Sequence, residues 1–322
     1  MNLYNRIKRK LIDFGFYKIG KGKLCIVTYH GVDSIQESKF NSRFFSATNL
    51  ESHFKFYKKH FNSVSLEDIE RGNFDKEKIN IHITFDDGYL NNYKYAVPLI
   101  DKYQLFSTLY VTGMHTTENK ILWADLLDIS SCYNGNELRI GDEIFRKENG
   151  KFPDLIKRIK FDTKGGFEFK SLVEKYVFKS LDNDFRNDRK FDDYWKLMNN
   201  DQIKEVSQTK YAGIGSHGFY HNNLGNLPVD IAVKEVLDSK KLIESLTQKE
   251  VKSIAFPDGS YNNALLKELK KCGFKTQFLF GAQDQEYHNI DGVYDREGLY
   301  PNASSENEIF YKLINGKTNR RI

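Results

Sequence analysis

The chain has 322 residues, of which 39% are hydrophobic, so it can bury a full core in one large domain or two ordinary ones. Its 49 basic and 44 acidic residues give a net charge of +5, which is compatible with acidic glycans or a membrane surface but too weak to indicate a nucleic-acid partner. No apolar run is long enough for a transmembrane helix. Three scattered cysteines, Cys25, Cys132 and Cys272, predict neither a disulfide framework nor a cysteine zinc site and favour a reducing compartment.

The first predicted element is a basic amphipathic segment, residues 1–23, in which seven Lys and Arg residues accompany one acid, Asp13. It lacks the continuous apolar stretch and the cleavage site of a secretory signal, so we expect a cytoplasmic protein. Two interpretations of the segment stand. It is a solvated helix that packs on the domain, or it rests on an anionic membrane surface and makes the protein peripheral to the membrane.

From residue 24 to 322, short apolar runs alternate with helical patterns, as in an α/β domain with a covered parallel sheet. The predicted strands are Leu24–Tyr29, Ile79–Phe85, Thr108–Thr112, Tyr211–Gly215, Ser253–Phe256 and Thr276–Phe280. The predicted helices are Ala47–Phe61, Asn92–Tyr103, Val229–Leu246 and Ala264–Cys272. Because no repeat or linker interrupts the pattern, a single domain with an insertion is favoured over two domains.

The predicted insertion covers roughly residues 114–205 and is rich in Lys, Asp and Phe. Its amphipathic stretches, separated by turn signals such as Asn149–Gly150, predict a mostly helical excursion from one loop of the core. A substrate-binding lid and a purely structural elaboration both fit this pattern, and the sequence does not decide between them.

Two polar clusters directly follow apolar strands. Asp86 and Asp87 lie in TFDDGY, where two adjacent buried carboxylates would repel each other unless a cation is bound; an ordinary Asp-Gly turn is the alternative. His217 and His221 are four residues apart, a spacing that predicts two imidazoles on one side of a helical turn. With one carboxylate they make a His₂Asp set, which in a catalytic site leaves positions open for water and substrate.

These clusters resemble the signatures of the polysaccharide deacetylases, carbohydrate esterases that act on chitin, peptidoglycan and poly-N-acetylglucosamine. TFDDGY (84–89) is similar to the first signature, SHGFYHNNL (216–224) to the second and AFPDGSYN (255–262) to the third. The second departs from the family pattern at Gly218, where Ser or Thr is usual, and at Asn222, where Pro is usual. The resemblance implies an irregular (β/α)₇ barrel carrying the mostly helical insertion.

By position, the resemblance implies that Asp86 is the general base and that Asp87, His217 and His221 are metal ligands. The donor set suits Zn²⁺ best, and it also accepts Co²⁺, Ni²⁺ or Fe²⁺. A divalent metal polarises the acetyl carbonyl, and backbone N–H groups stabilise the oxyanion.

The third signature supplies further candidates. The N–H of Asp258 is placed as an oxyanion donor and Tyr261 as a residue of the sugar subsite, although the same residues also make a good turn. Many relatives have at position 255 an Arg that pairs with the base, whereas this chain has Ala255. Arg296, after the candidate strand GVY, is the predicted substitute, and an ordinary surface arginine is the alternative.

The general acid of the family usually comes from a late L-x-H motif, which this chain lacks. His288 is the only histidine after the third signature, and its surroundings, DQEYHNID, match poorly. TYHGV (28–32) instead resembles the first strand of circularly permuted members. The resemblance therefore implies that His30 is the general acid.

These features predict a metal-dependent hydrolase that removes an acetyl group, N-acetyl before O-acetyl, from an amino sugar in a surface glycan or its precursor. The expected substrates are acetylated amino sugars, oligosaccharides or polysaccharides. Two alternatives remain, a metal-dependent amidase acting on a non-sugar amide and a non-catalytic glycan-binding protein of the same fold. Metal content and acetate release distinguish them.

Overall fold

The computed structural model describes residues 10, 20–34, 41, 43–118, 120–133, 135–161, 167–180, 192–281, 290–299, 305–315 and 320–321. Most of the basic segment 1–23, and with it the expected membrane contact, lies outside these residues, as does His288. Among the described helices, none is both long and apolar enough to cross a bilayer.

Seven parallel strands close into a barrel surrounded by helices, as the sequence predicted. In spatial order they are β1 (Lys23–Tyr29), β12 (Val293–Gly298), β11 (Thr276–Phe280), β10 (Ser253–Ala255), β9 (Ala212–Ser216), β6 (Ser107–Val111) and β5 (Ile79–Phe85). Pairing of β1 with β5, from Leu24 opposite Asn80 to Tyr29 opposite Phe85, closes the ring. Two short strands extend the sheet outside it, β4 (Phe61–Ser63) beside β5 and β13 (Arg320–Arg321) antiparallel to β1, and β2 (Val32–Asp33) pairs with β3 (Phe45–Ser46).

The helices pack their apolar faces on the barrel, and side-chain caps fix where several begin. Ser46 caps the first by accepting from the N–H of Asn49, and Asn262 does the same for Leu265. The described helices are α1 (Ala47–His60), α2 (Leu66–Arg71), α3 (Val97–Tyr103), α4 (Trp123–Tyr133), α5 (Pro153–Lys160), α6 (Phe167–Ser180), α7 (Asp192–Trp195), α8 (Asn200–Gln208), α9 (Val229–Thr247), α10 (Asn263–Lys271) and α11 (Glu306–Asn315).

The long excursion from the core runs between β6 and β9 and contains α4 to α8. It is less uniformly helical than the sequence predicted, because β7 (Glu137–Ile140) and β8 (Glu143–Arg146) form an antiparallel hairpin. Leu138, Ile140 and Phe145 are buried on one face of this hairpin. An apolar alternation over strands this short gives only a weak strand signal in the sequence. They belong to an apolar cluster distinct from the barrel core, so the excursion has a small core of its own. The limits 114–205 and the division at residue 23 remain predictions.

Candidate active site

The carboxylates of the first signature lie at the C-terminal end of β5. Asp86 continues the barrel register by donating its N–H to the carbonyl of Tyr29. Asp87 and Gly88 both have a φ of 76°, a left-handed conformation that turns the chain away from the strand. A Cβ on Gly88 would lie 3.1 Å from the side chain of Val111, so glycine is favoured there by space as well as by φ.

The two histidines follow β9, but the predicted helical turn between them is wrong. Gly218 has a φ of 72° and His221 a φ of 54°, and residues in the left-handed region cannot continue a right-handed helix. The loop nevertheless brings the rings together, with centroids 5.0 Å apart. The four-residue spacing thus identified two histidines that do lie together, although a loop and not a helical turn brings them there.

Asp87, His217 and His221 converge on one point. Oδ1 of Asp87 lies 3.3 Å from Nε2 of His217 and 3.1 Å from Nε2 of His221, and both carboxylate oxygens are buried without a hydrogen bond from the described residues. Burial alone would raise the pKa of Asp87, but the two imidazoles outweigh it and hold this pKa well below its ordinary value. Nδ1 of His217 bonds the carbonyl of Ala255 at 2.8 Å, which directs the lone pair of Nε2 to the same point. Such a set of buried donors fits a divalent cation.

Asp86 is paired with Arg296, which the structure places within β12 rather than after it. Nη1 and Nη2 of Arg296 donate to the two carboxylate oxygens at 2.6 and 2.7 Å, a bidentate pair with both side chains buried. Nη1 also donates to the hydroxyl of Thr84. Burial opposes ionisation of Asp86, but the guanidinium outweighs it and lowers the pKa of Asp86. The carboxylate is therefore ionised at neutral pH.

His30 lies at the end of β1 on the wall of a cavity of about 810 Å³, which Asp86 and Asp87 also line. The sequence motif TYHGV thus reaches the same site as the other signatures. Burial, reinforced by the positive charge of Arg43, lowers the pKa of His30 to about 4. The imidazole is consequently neutral at pH 7 before substrate binds.

The two candidates from the third signature, Asp258 and Tyr261, lie in different surroundings. Asp258 lines the cavity in a tight turn whose hydrogen bonds are donated by Gly259 and Ser260, and its carboxylate accepts from Asn223 at 3.0 Å. Tyr261 packs near Phe256, with ring centroids 6.1 Å apart, and is not among the described residues that line the cavity. Tyr261 as a residue of the sugar subsite stays a prediction.

Arg43 is a cavity residue that the sequence analysis missed. Its Nη1 lies 3.9 Å from Oδ2 of Asp87, and Nη2 lies 3.5 Å from Asp125 of α4. The hydroxyl of Tyr89 donates to the same Asp125 carboxylate at 2.8 Å. Burial raises the pKa of Asp125 to about 8, although Arg43 acts against it. Arg43 and Asp125 stand in no motif, so only their tertiary contacts reveal them.

The constellation lies at the C-terminal ends of the strands of a closed parallel barrel, which is where enzymes with β/α barrels have their active sites. The family model for polysaccharide deacetylases matches residues 74–171 and 174–277, more than half of the chain. The chain belongs to the polysaccharide deacetylase family and is a carbohydrate deacetylase.

Individual relatives are distant. The chain is 22% identical over 285 residues to the "Putative polysaccharide deacetylase YxkH" of Bacillus subtilis (strain 168), covering 87% of this chain and 74% of that protein. The Streptococcus pyogenes deacetylase PplD in complex with acetate superposes with a TM-score of 0.58 at 18% identity, covering 90% of this chain and 98% of that one. A de-N-acetylase from Aggregatibacter actinomycetemcomitans gives 0.53 at 15% identity, covering 90% and 99%. At these identities the superpositions show a shared fold.

Proposed function

We propose that this deacetylase uses a bound divalent cation, zinc foremost, to hydrolyse the N-acetyl group of an amino sugar in a surface glycan or a glycan precursor. The observation that carries the proposal is the convergence of three buried donor side chains on one point, beside the pair of Asp86 and Arg296. One cavity thus combines a cation site with an ionised carboxylate that is available as a base.

In this proposal Asp87, His217 and His221 hold the ion, which when bound supplies polarisation of the acetyl carbonyl and a lowered pKa of water. Asp86 takes a proton from the attacking water. Arg296 keeps that carboxylate ionised and fixes its orientation through two hydrogen bonds. The N–H of Asp258 is the proposed donor to the developing oxyanion.

The reaction forms a bond from the water oxygen to the acetyl carbon and breaks the carbon–nitrogen bond, which yields acetate and an amine. The departing nitrogen needs a proton, and we assign its delivery to His30. Because the lowered pKa leaves His30 neutral at pH 7, it would receive the proton that Asp86 has taken from the attacking water and pass it to the departing nitrogen. Asp86 and His30 line the same cavity, which supports this transfer.

The cavity walls support a sugar substrate. Its volume of about 810 Å³ is in the range of small-molecule sites. Phe280 lines it and is 43% exposed, so its ring is available for the apolar face of a sugar. The preference for N-acetyl over O-acetyl is supported by the need for a proton donor and by the structural likeness to a de-N-acetylase.

The test is acetate release from a panel of acetylated amino sugars, sugar nucleotides and oligosaccharides, with O-acetyl sugars and non-sugar amides as comparison substrates. We expect chelator treatment to abolish release and added zinc or cobalt to restore it, because the His₂Asp site alone cannot activate water. Full activity in a preparation shown to be free of metal would overturn the mechanism.

A cytoplasmic location is a separate proposal, supported by the three scattered cysteines, which favour a reducing compartment. A peripheral membrane contact of residues 1–23 is another proposal, supported by the basic charge of this segment. Sedimentation with anionic and neutral vesicles tests the contact. Equal recovery with both kinds of vesicle would contradict it.

A further inference from the structure

Two donors from the excursion between β6 and β9 meet the backbone of the candidate metal ligand His221. The indole Nε1 of Trp123 donates to the carbonyl oxygen of His221 at 3.3 Å, and Nζ of Lys170 donates to the same oxygen at 3.1 Å. Trp123 begins α4 and Lys170 lies in α6, so two helices of the excursion contact one atom of the site loop. All three residues are buried.

His221 depends on such contacts more than its partner does. The ring of His217 is oriented by a hydrogen bond from Nδ1 to the carbonyl of Ala255, whereas Nδ1 of His221 is buried without a partner in the described part of the chain. His221 also has the strained left-handed φ of 54°. The placement of this ring therefore depends more on its backbone than that of His217 does, and the carbonyl oxygen is the atom that Trp123 and Lys170 contact.

The contact continues into the barrel through Asn222. Nζ of Lys170 donates to Oδ1 of Asn222 at 2.7 Å, and Nδ2 of Asn222 donates to Oε2 of Glu235 at 2.7 Å. Glu235, a buried residue of α9, also accepts the N–H of Tyr220 at 2.9 Å. The buried ammonium and carboxylate are thus connected through one amide, and each has hydrogen-bond partners, as buried charges require.

Both departures from the second signature coincide with this network. A proline at position 222 has neither the amide side chain nor the N–H that Asn222 directs at Glu235. A Cβ at Gly218 would lie 3.2 Å from Oε1 of Glu235, so a side chain at position 218 would crowd this carboxylate. In the usual form of the second signature a rigid proline takes the position of Asn222, which here belongs to the polar network.

We propose that Lys170 and Trp123 are positioning residues for the metal ligand His221, so that the excursion between β6 and β9 completes the metal site. This inference rests on the proposed metal dependence. It gives the excursion a role that differs from both a substrate-binding lid and a purely structural elaboration, since the excursion is then required for the geometry of the site.

The test compares the zinc affinity of the full-length wild type with Lys170→Met and Trp123→Phe, measured by competition with a chromophoric chelator. Trp123→Phe retains an aromatic ring and removes the N–H donor together with part of the indole volume. Lys175→Met, at an exposed position of the same helix, is the matched control. We expect roughly 10- to 100-fold weaker zinc binding for each test variant, the usual effect of removing an outer partner of a ligand, and wild-type affinity for the control.

A second readout reports geometry. In the cobalt-loaded proteins, the visible absorption spectrum should shift for both test variants and stay unchanged for Lys175→Met. The double variant should lose less than the sum of the single losses, because both donors act on one oxygen.

Each result has a distinct meaning. Wild-type affinity and spectra in both Lys170→Met and Trp123→Phe would overturn the positioning role and leave the proposed function intact. A wild type that binds no zinc would overturn the proposed function itself, and the inference with it. If circular dichroism shows that Lys170→Met does not fold, Trp123→Phe decides alone.

Discussion

At the scale of single residues, strain is concentrated at the cavity. Asp87, His221 and Asp258 all have positive φ values, and each is an L-residue for which this conformation costs roughly 1–3 kcal/mol. The remaining described non-glycine residues of this kind include Gln104 and Gln248, which end helices, where left-handed caps are common. Lys120 and Asn149 also have positive φ values and are not among the cavity residues, so the site contributes three of the seven described residues of this kind.

Substitutions of the two adjacent aspartates are expected to differ in their effects on zinc binding and on activity. Asp87→Asn removes a charged ligand, so zinc affinity should fall, and activity with it. Asp86→Asn leaves the donor set intact but removes the proposed base, so zinc should stay bound while kcat falls by roughly 10²- to 10⁴-fold. Metal content after gel filtration and the rate of acetate release check both expectations. The opposite pattern, with an empty site in Asp86→Asn and a full one in Asp87→Asn, would exchange the two roles.

His30→Ala tests the general acid. We expect a large fall in kcat, with KM and zinc content nearly unchanged, because the proton is needed only as the carbon–nitrogen bond breaks. An aryl acetate, whose leaving group needs little protonation, should be much less affected than an amide.

His288→Ala is the matched histidine variant for this comparison and should behave like the wild type. Loss of activity in His288→Ala together with an active His30→Ala would restore the late-histidine arrangement.

At the scale of elements, strand ends determine what the site can contain. β5, β9 and β12 deliver Asp87, His217 and Arg296 to one edge, because parallel strands of a barrel end on the same side. Within β5 itself, His82 binds its neighbours on both sides. Its Nδ1 contacts the carbonyl of Val64 at 2.8 Å and its Nε2 the hydroxyl of Thr108 at 3.0 Å, so this histidine connects β6 to the segment after β4.

This contact predicts a pH dependence of stability. Burial lowers the pKa of His82 from 6.5 to about 4, so between these values the unfolded chain binds a proton that the folded protein excludes. The contribution is complete above pH 6.5 and is lost as the pH falls through about 4, a loss of about 3 kcal/mol in the free energy of unfolding. Urea denaturation of His82→Gln across this range should show a shallower decline than the wild type. Parallel profiles would contradict the assignment.

Elements and motifs were predictable because their signals are local. β5 and β11 have the predicted limits, since apolar runs bounded by polar residues identify buried strands. Arg43, Lys170 and Glu235 were not predictable, because isolated charged residues acquire a role only when distant segments meet. The bidentate pair of Arg296 and Asp86 joins positions 210 residues apart. The resemblance led us to expect a guanidinium beside the base, but its contact is known only from the fold.

At the scale of the whole molecule, closure of the barrel also brings the residues of the site together. β1 pairs with β5 on one side and with β12 on the other, so Arg296 of β12 reaches Asp86 beyond the end of β5 only when the ring is closed. A buried ion pair contributes little net stability, but removing one partner leaves a charge uncompensated. Loss of Arg296 should therefore affect both the ionisation of Asp86 and the stability of the closed barrel.

Arg296→Met tests this coupling. The free energy of unfolding should fall by about 3–5 kcal/mol, because Asp86 remains buried without its partner. With burial no longer outweighed, the pKa of Asp86 rises, so the acid limb of the kcat/KM profile should move to higher pH. Urea denaturation and the pH–rate profile measure the two effects. Arg71→Met, which removes an exposed arginine paired with Glu67, should leave both unchanged.

The double variant Asp86→Asn with Arg296→Met separates charge from packing. If the uncompensated carboxylate causes the loss, neutralising it should restore much of the stability that Arg296→Met removes, although activity stays low for want of the base. If instead the guanidinium acts by filling space between the strands, the double variant will be as unstable as Arg296→Met alone. That result, with an unmoved acid limb, would show that the pair supports the barrel without tuning the base.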